Sequence, residues 1–264
     1  MSHQQQYLVY VKSVQTGAIR TLVEVLKEVV HDTSLKFNES GVSLCTLDGS
    51  RCSLLHMHLR AGAFEEFTCT APFSAGLNMS SLYKLLKSSA SSSDSVALFV
   101  EHDKTDELQI SISNSDKKAV TRFALKLLDV DSEDINLPPF EFHSVITLPS
   151  TYFQRLCRDM LNLSDTIHVK VEKGDLYLSC TGDFASQTTH ITSSEEDGDV
   201  SITSNESGVV QGSFSLKYLS LFTRASSLSS TTLLYFKENF PLVITYQVAS
   251  LGELKFVLAH KQSE

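Results

Sequence analysis

A chain of 264 residues has room for one large domain or two of ordinary size, and with 42% apolar residues, 15 Phe and 8 Tyr it can bury a core in each. No run of about 18 apolar residues occurs, which argues against a helical membrane span. The 22 Lys and Arg against 31 Asp and Glu give a net charge of −9, which argues against a simple nucleic-acid binder unless the cations are segregated from the acids.

The start, Met-Ser-His-Gln-Gln-Gln-Tyr, lacks the basic-then-apolar layout of a secretory signal. The five cysteines, Cys45, Cys52, Cys69, Cys157 and Cys180, are odd in number and show no CxxC spacing, so free thiols in a reducing compartment are expected. In chain order, 7–11 reads as a first strand. Residues 17–31 then place Ala18, Leu22, Val25, Leu26 and Val29 at helical spacing. Strand-like runs follow at 34–37, 42–47, 52–59, 64–69 and 75–79, punctuated by Gly41 and Asp48-Gly49. Residues 79–89 form a second amphipathic helix with Leu82, Leu85 and Leu86 inward, and strands at 96–100, 108–113 and 120–127 complete the half.

Next comes Asp129-Val-Asp-Ser-Glu-Asp-Ile-Asn-Leu-Pro-Pro-Phe140. Its carboxylates, its isolated Ile135 and Leu137, and a Pro138-Pro139 pair that cannot donate to a sheet ladder make it a linker. The order then recurs: strand 142–148, helix 149–161, strands 166–171, 176–181 and 184–192, an acidic loop 195–199, strand 209–216, helix 217–224, and strands 233–237, 242–248 and 254–259. At an offset of 134 residues, Ile19, Leu22 and Leu26 fall on Phe153, Leu156 and Met160. At an offset of 137, Leu77, Met79, Leu82 and Leu85 fall on Phe214, Leu216, Leu219 and Phe222. The expected organisation is α+β, with two similar domains of antiparallel sheet and two helices each: 1–128, the connecting loop 129–140, and 141–264.

The four helices carry Arg20, Lys27, Lys84, Lys87, Arg155, Arg158, Lys217 and Arg224 against only Glu24, Glu28 and Asp159. Each cation pair is spaced i,i+3 or i,i+7, on the side away from the apolar stripe. A basic stripe is ordinarily a solvated helix face. Four in one acidic chain form a positive wall if the helices pack on one side of their sheets. Lys and Arg without interleaved aromatics would suit phosphate contact rather than base reading.

Several stretches together resemble the proliferating cell nuclear antigen family of eukaryotic sliding clamps. They are Leu47-Asp-Gly-Ser, Leu127-Leu-Asp-Val-Asp, Arg155-Leu-Cys-Arg-Asp-Met, Leu216-Lys-Tyr-Leu-Ser-Leu-Phe-Thr-Arg-Ala, Leu228-Ser-Ser-Thr, Pro241-Leu-Val-Ile-Thr-Tyr and Gly252-Glu-Leu-Lys-Phe-Val-Leu-Ala. The resemblance spans essentially the whole chain. It implies a non-enzymatic nuclear subunit of the DNA clamp fold, closing head-to-tail as a homotrimer around duplex DNA, with the eight helix cations on the wall of the hole. It implies that DNA polymerase, the clamp loader and other replication and repair proteins insert a clamp-binding peptide beneath the connecting loop. The pocket residues it implies are Leu47, Ile135, Leu137, Pro138, Phe240, Pro241, Val257, Leu258 and Ala259. Subunits would meet by edge strands 120–127 and 184–192, with Phe123, Met160 and Leu163 as apolar contacts. Lys173 matches the family's modifiable lysine. The sequence departs from the family at His260, where proline is usual, and at Arg51, where histidine is usual.

No cofactor or metal is implied. Ser81-Leu-Tyr-Lys84 matches S-x-x-K, but the companion motifs of serine acylases are missing. His56 and His58 share a strand face without a third ligand at a suggestive spacing. Cys157, although beside Arg158, falls on the apolar side of its helix. The other readings are a checkpoint-type clamp subunit of a heterotrimer, and an acidic interaction scaffold that does not bind DNA.

Overall fold

The computed structural model describes residues 6–88, 93–130, 135, 142–193, 200–204 and 208–261. The chain divides into two compact units. The first holds Met1–Thr46, His56–Asp134 and Val248–Glu253, and the second holds Leu47–Leu55, Ile135–Gln247 and Leu254–Glu264. Each unit takes in a short segment from the other side of the linker. The Leu47–Leu55 segment belongs with the second unit because its hydrogen bonds run there: Ala259 N–H donates to the Cys52 carbonyl at 2.9 Å and Tyr218 OH to Asp48 at 2.6 Å. Residues 248–253 belong with the first because Arg60 N–H donates to the Leu251 carbonyl and the Arg60 guanidinium to that of Ser250.

The first half of the chain contains β1 (Tyr7–Ser13), α1 (Thr16–Val29), β2 (Asp32–Asn38), β3 (Gly41–Leu47), β4 (Ser53–Arg60), β5 (Glu66–Cys69), β6 (Phe73–Asn78), α2 (Met79–Leu86), β7 (Asp94–Glu101), β8 (Lys104–Asn114) and β9 (Ala119–Lys126). The second contains β10 (Ser144–Pro149), α3 (Ser150–Leu161), β11 (Thr166–Glu172), β12 (Asp175–Thr181), β13 (Ser186–Ile191), β14 (Ser201–Ser204), β15 (Val210–Ser215), α4 (Leu216–Phe222) with a 3-10 turn over Thr223–Ser227, β16 (Thr231–Phe236), β17 (Leu242–Val248) and β18 (Gly252–Leu258). Strand order is β5-β1-β7-β8-β9 and β4-β3-β2-β6 in one half, β14-β10-β16-β17-β18 and β13-β12-β11-β15 in the other. The two halves thus repeat one plan, and the paired strands whose register is defined are antiparallel.

The helices form where the periodicity places them. Leu22 and Leu26 on α1, and their counterparts Leu156 and Met160 on α3, are buried, as are Met79 and Leu82 on α2 with Leu216 and Leu219 on α4. α1 packs against α2, and α3 against α4 and its 3-10 extension. Asn78 caps α2 by accepting the Ser81 N–H at 2.9 Å. Pro149 closes β10 and stands at the N-cap of α3 rather than inside its first turn. β14 was not expected; its Ser-Ile-Thr-Ser sequence has one apolar residue and sits at a sheet edge.

The two cores differ in filling. The second unit buries Phe153, Phe214, Phe222, Phe236, Tyr246 and Phe256, with Phe222 stacked on Phe256 at 4.5 Å. The first relies on aliphatic side chains around Phe37 and keeps an apolar cavity of about 40 Å³ among Leu22, Val23, Leu26, Met57, Met79 and Leu82. The entry to the linker is fixed by Leu128, whose N–H donates to the Gly76 carbonyl at 2.7 Å. A Cβ at Gly76 would meet the Leu128 oxygen at 2.1 Å, so this close approach requires glycine.

Candidate nucleic-acid interface

In the first unit, Arg20 and Lys27 stand on α1 away from its buried stripe, and Lys84 on α2 and Lys87 at its C-cap are exposed. Tyr83 sits among them. The Lys27 ammonium lies 4.8 Å from the centre of the Tyr83 ring, and the Tyr83 hydroxyl donates to Glu24 at 2.9 Å, an acceptor that pushes the phenol pKa upward. Lys27 also pairs with Glu28 at 2.6 Å.

In the second unit, Arg155 and Arg158 are exposed on α3 and line a groove of about 370 Å³ with Thr151, Tyr152 and Gln154. The Arg155 guanidinium lies 5.4 Å from the Tyr152 ring centre, and Arg158 Nε is 3.7 Å from Asp159. The Ser226 hydroxyl donates to Gln154 at 3.0 Å, tying the turn that carries the exposed Arg224 to α3. Lys217 is exposed in the first turn of α4. The expectation of cations without aromatics is corrected: a tyrosine is interleaved in each unit. Each tyrosine follows from helical geometry, since Tyr83 and Tyr152 lie beside cation positions on solvent-facing turns.

The residues of the implied peptide pocket are distributed unevenly. Leu47 is half-buried at the end of β3, next to a tightly bonded turn. There Asp48 accepts from Tyr218 OH and Ser53 N–H at 2.6 Å and from the Ser50 hydroxyl. Burial works against the Asp48 charge, but these bonds outweigh it and bring its pKa down to about 2. The 2.9 Å bond from Ala259 to Cys52 brings the segment after β18 to this turn. Phe240, Pro241 and Val257 are half-buried and Ala259 is exposed. Leu258 is only 1% exposed, so it belongs to the core instead of a binding surface. Ile135 is half-buried, while Leu137 and Pro138 lie outside the described residues.

β9 and β13 are both outermost in their sheets. Phe123 and Leu163 are half-buried and accessible, but Met160 is fully buried. It lies four residues after Leu156 on the core stripe of α3, so it cannot offer a contact surface. Two apolar side chains not singled out from the sequence are conspicuous at these edges: Phe184, 79% exposed before β13, and Val120, 58% exposed on β9. The Phe184 turn is held close to α3's end, because a Cβ at Gly182 would meet the Leu163 oxygen at 1.8 Å. Lys173 is exposed at the β11–β12 hairpin with φ +52, followed by Gly174 at φ +85, a turn with both central residues left-handed.

The serine and cysteine motifs have structural partners. The Ser81 hydroxyl lies 3.1 Å from Asn78 Oδ1 in the α2 cap. Cys157 is buried and its thiol pKa is pushed up by that burial, away from nucleophilic character. All five cysteines are free thiols.

The duplicated α+β plan with paired, cation-bearing helices in each copy agrees with the DNA clamp fold, and the matches to known proteins give the class: a DNA sliding clamp, a processivity factor for DNA polymerase. The descriptions of the proliferating cell nuclear antigen N-terminal and C-terminal domains match residues 9–135 and 136–261. A relative from Paramecium bursaria Chlorella virus 1, described as "Probable DNA polymerase sliding clamp 1", is 37% identical over 257 residues, covering 96% of each chain. The chain belongs to the proliferating cell nuclear antigen family.

Proposed function

We propose that three copies of this chain close head-to-tail into a nuclear ring that encircles duplex DNA and tethers polymerase, the clamp loader and other replication and repair proteins to it. The observation that carries this reading is the two-sidedness of the helices. Their apolar stripes are buried, while Arg20, Lys27, Lys84, Lys87, Arg155, Arg158, Lys217 and Arg224 stand on the other side. In a closed ring these cations need only weak, exchangeable phosphate contacts, because topology rather than affinity prevents loss. The acidic remainder discourages DNA from binding elsewhere.

The β9 and β13 edges support the head-to-tail contact. A strand of one copy laid on the other edge of the next satisfies both rows of free backbone groups, and a heterologous contact of this kind closes if the rotation fits. Phe123 and Leu163 are the accessible apolar contacts. Client peptides dock in the second unit around Leu47, Phe240, Pro241, Val257 and Ala259, beneath a loop carrying Ile135, Leu137 and Pro138. Lys173, on an exposed turn, is the modification site. The assembly is tested by mass in solution: sedimentation should give about three times the 29.2 kDa chain mass, and a monomer at micromolar concentration would contradict it.

A further inference from the structure

The segment after β18 crosses onto β15, the outermost strand of its sheet. Lys261 N–H donates to the Ser213 carbonyl at 2.8 Å, as a neighbouring strand would. The reciprocal bond is unusual: Ser213 N–H donates to the imidazole Nε2 of His260 at 3.1 Å, so a side chain stands where a backbone carbonyl is expected. The ring is seated for this. It meets Phe214 edge-on at 5.6 Å between centroids, and a Cβ at Gly212 would lie 3.0 Å from its Cδ2. Because Nε2 accepts, the proton of the neutral ring is on Nδ1.

We propose that His260 is a proton-operated clasp that pins the C-terminal segment to the β15 edge and thereby sets the position of Ala259 at the lip of the peptide pocket. Its consequence for clients rests on the pocket reading above; the clasp itself does not. Imidazolium has no acceptor, so protonating Nε2 sets two donors against each other and frees the Ser213 N–H. The titratable and charged groups facing the ring are few. His168 on β11, bonded through Nδ1 to the Ser213 hydroxyl at 2.9 Å, Lys170 on the same strand, and Glu238 in the loop before β17 share its groove. Lys261 bonds Thr166 through its ammonium at 2.7 Å.

The test is hydrogen exchange of the Ser213 amide in the full-length protein without peptide, from about pH 8 to about pH 5, the range over which histidine changes charge. Corrected for intrinsic rate, protection should fall roughly fivefold or more on acidification, the loss of one ordinary hydrogen bond, while Val169 in the adjoining strand stays constant. His260→Gln, which keeps an acceptor but cannot titrate, should abolish the step. A pH-independent Ser213, or the same step in His260→Gln, overturns the clasp. A client-type peptide titrated in parallel reads the lip: an affinity that tracks Ser213 protection supports the coupling, and an unchanged affinity with a released clasp overturns the coupling alone.

Discussion

Tyr218 donates a 2.6 Å hydrogen bond to Asp48 across 170 positions of sequence. Tyr218 follows Lys217 on the cation-bearing α4, and Asp48 follows Leu47 at the pocket turn, so one bond connects the element proposed to face DNA with the one proposed to face clients. It accounts for the low Asp48 pKa together with the Ser50 and Ser53 bonds, and it raises the pKa of Tyr218 in return.

Tyr218→Phe should therefore destabilise the protein by about 1 kcal/mol at neutral pH, the net worth of one hydrogen bond, read by urea unfolding. The pH dependence has a definite sign. Asp48 titrates lower in the folded state than its ordinary 3.8, so its contribution is present above about pH 4 and fades as pH falls toward 2. The variant should lose part of that fading. A stability curve identical to the parent at every pH contradicts the role given to this bond.

Reversing Lys84, Lys87, Arg155 and Arg158 to Glu should leave the ring's mass unchanged and impair loading and polymerase processivity. If each contacts a phosphate, the slope of log affinity against log salt should shrink by roughly 3 to 4. Unaltered polymerase stimulation contradicts the assignment.

How much of this was legible beforehand follows from what periodicity can report. Leu22, Leu26, Leu156 and Met160 repeat at helical spacing, so the helices and the duplication could be read directly. Which buried residues also touch a partner could not: Met160 and Leu258 are apolar at the right positions, but both point into a core. Phe184 reads as a strand residue and stands instead before β13, in a segment that Gly182 lets approach Leu163 closely. β14, with a single isoleucine in four residues, lacks any alternation to read.

Phe184 and Val120 are exposed in the single chain, so replacing them should weaken assembly without unfolding the subunit. Phe184→Ser with Val120→Ser is expected to shift sedimentation toward the 29.2 kDa monomer while circular dichroism and melting of the subunit stay close to the parent. A full-mass assembly at dilute concentration would show that these side chains lie outside the contact.

The cavity beneath α1 makes a stability prediction. Val23→Ile adds one methyl group to the 40 Å³ space and should stabilise the first unit by up to about 0.8 kcal/mol. Leu82→Ala, enlarging it, should cost about 2–5 kcal/mol. Thermal unfolding of both variants separates a true void from an already tight core, in which Val23→Ile would destabilise.

Ile135→Ala with Leu137→Ala should weaken a clamp-binding peptide at least tenfold by calorimetry, since both are apolar residues among carboxylates. Equal affinity removes them from the pocket.

The claim on which the rest depends is that the eight helix cations surround DNA. Loading the protein onto a nicked circular plasmid and raising the salt tests it most directly. The protein should stay on the closed circle and be lost when one restriction cut linearises it. Equal loss from circle and line would mean that no ring encloses the duplex.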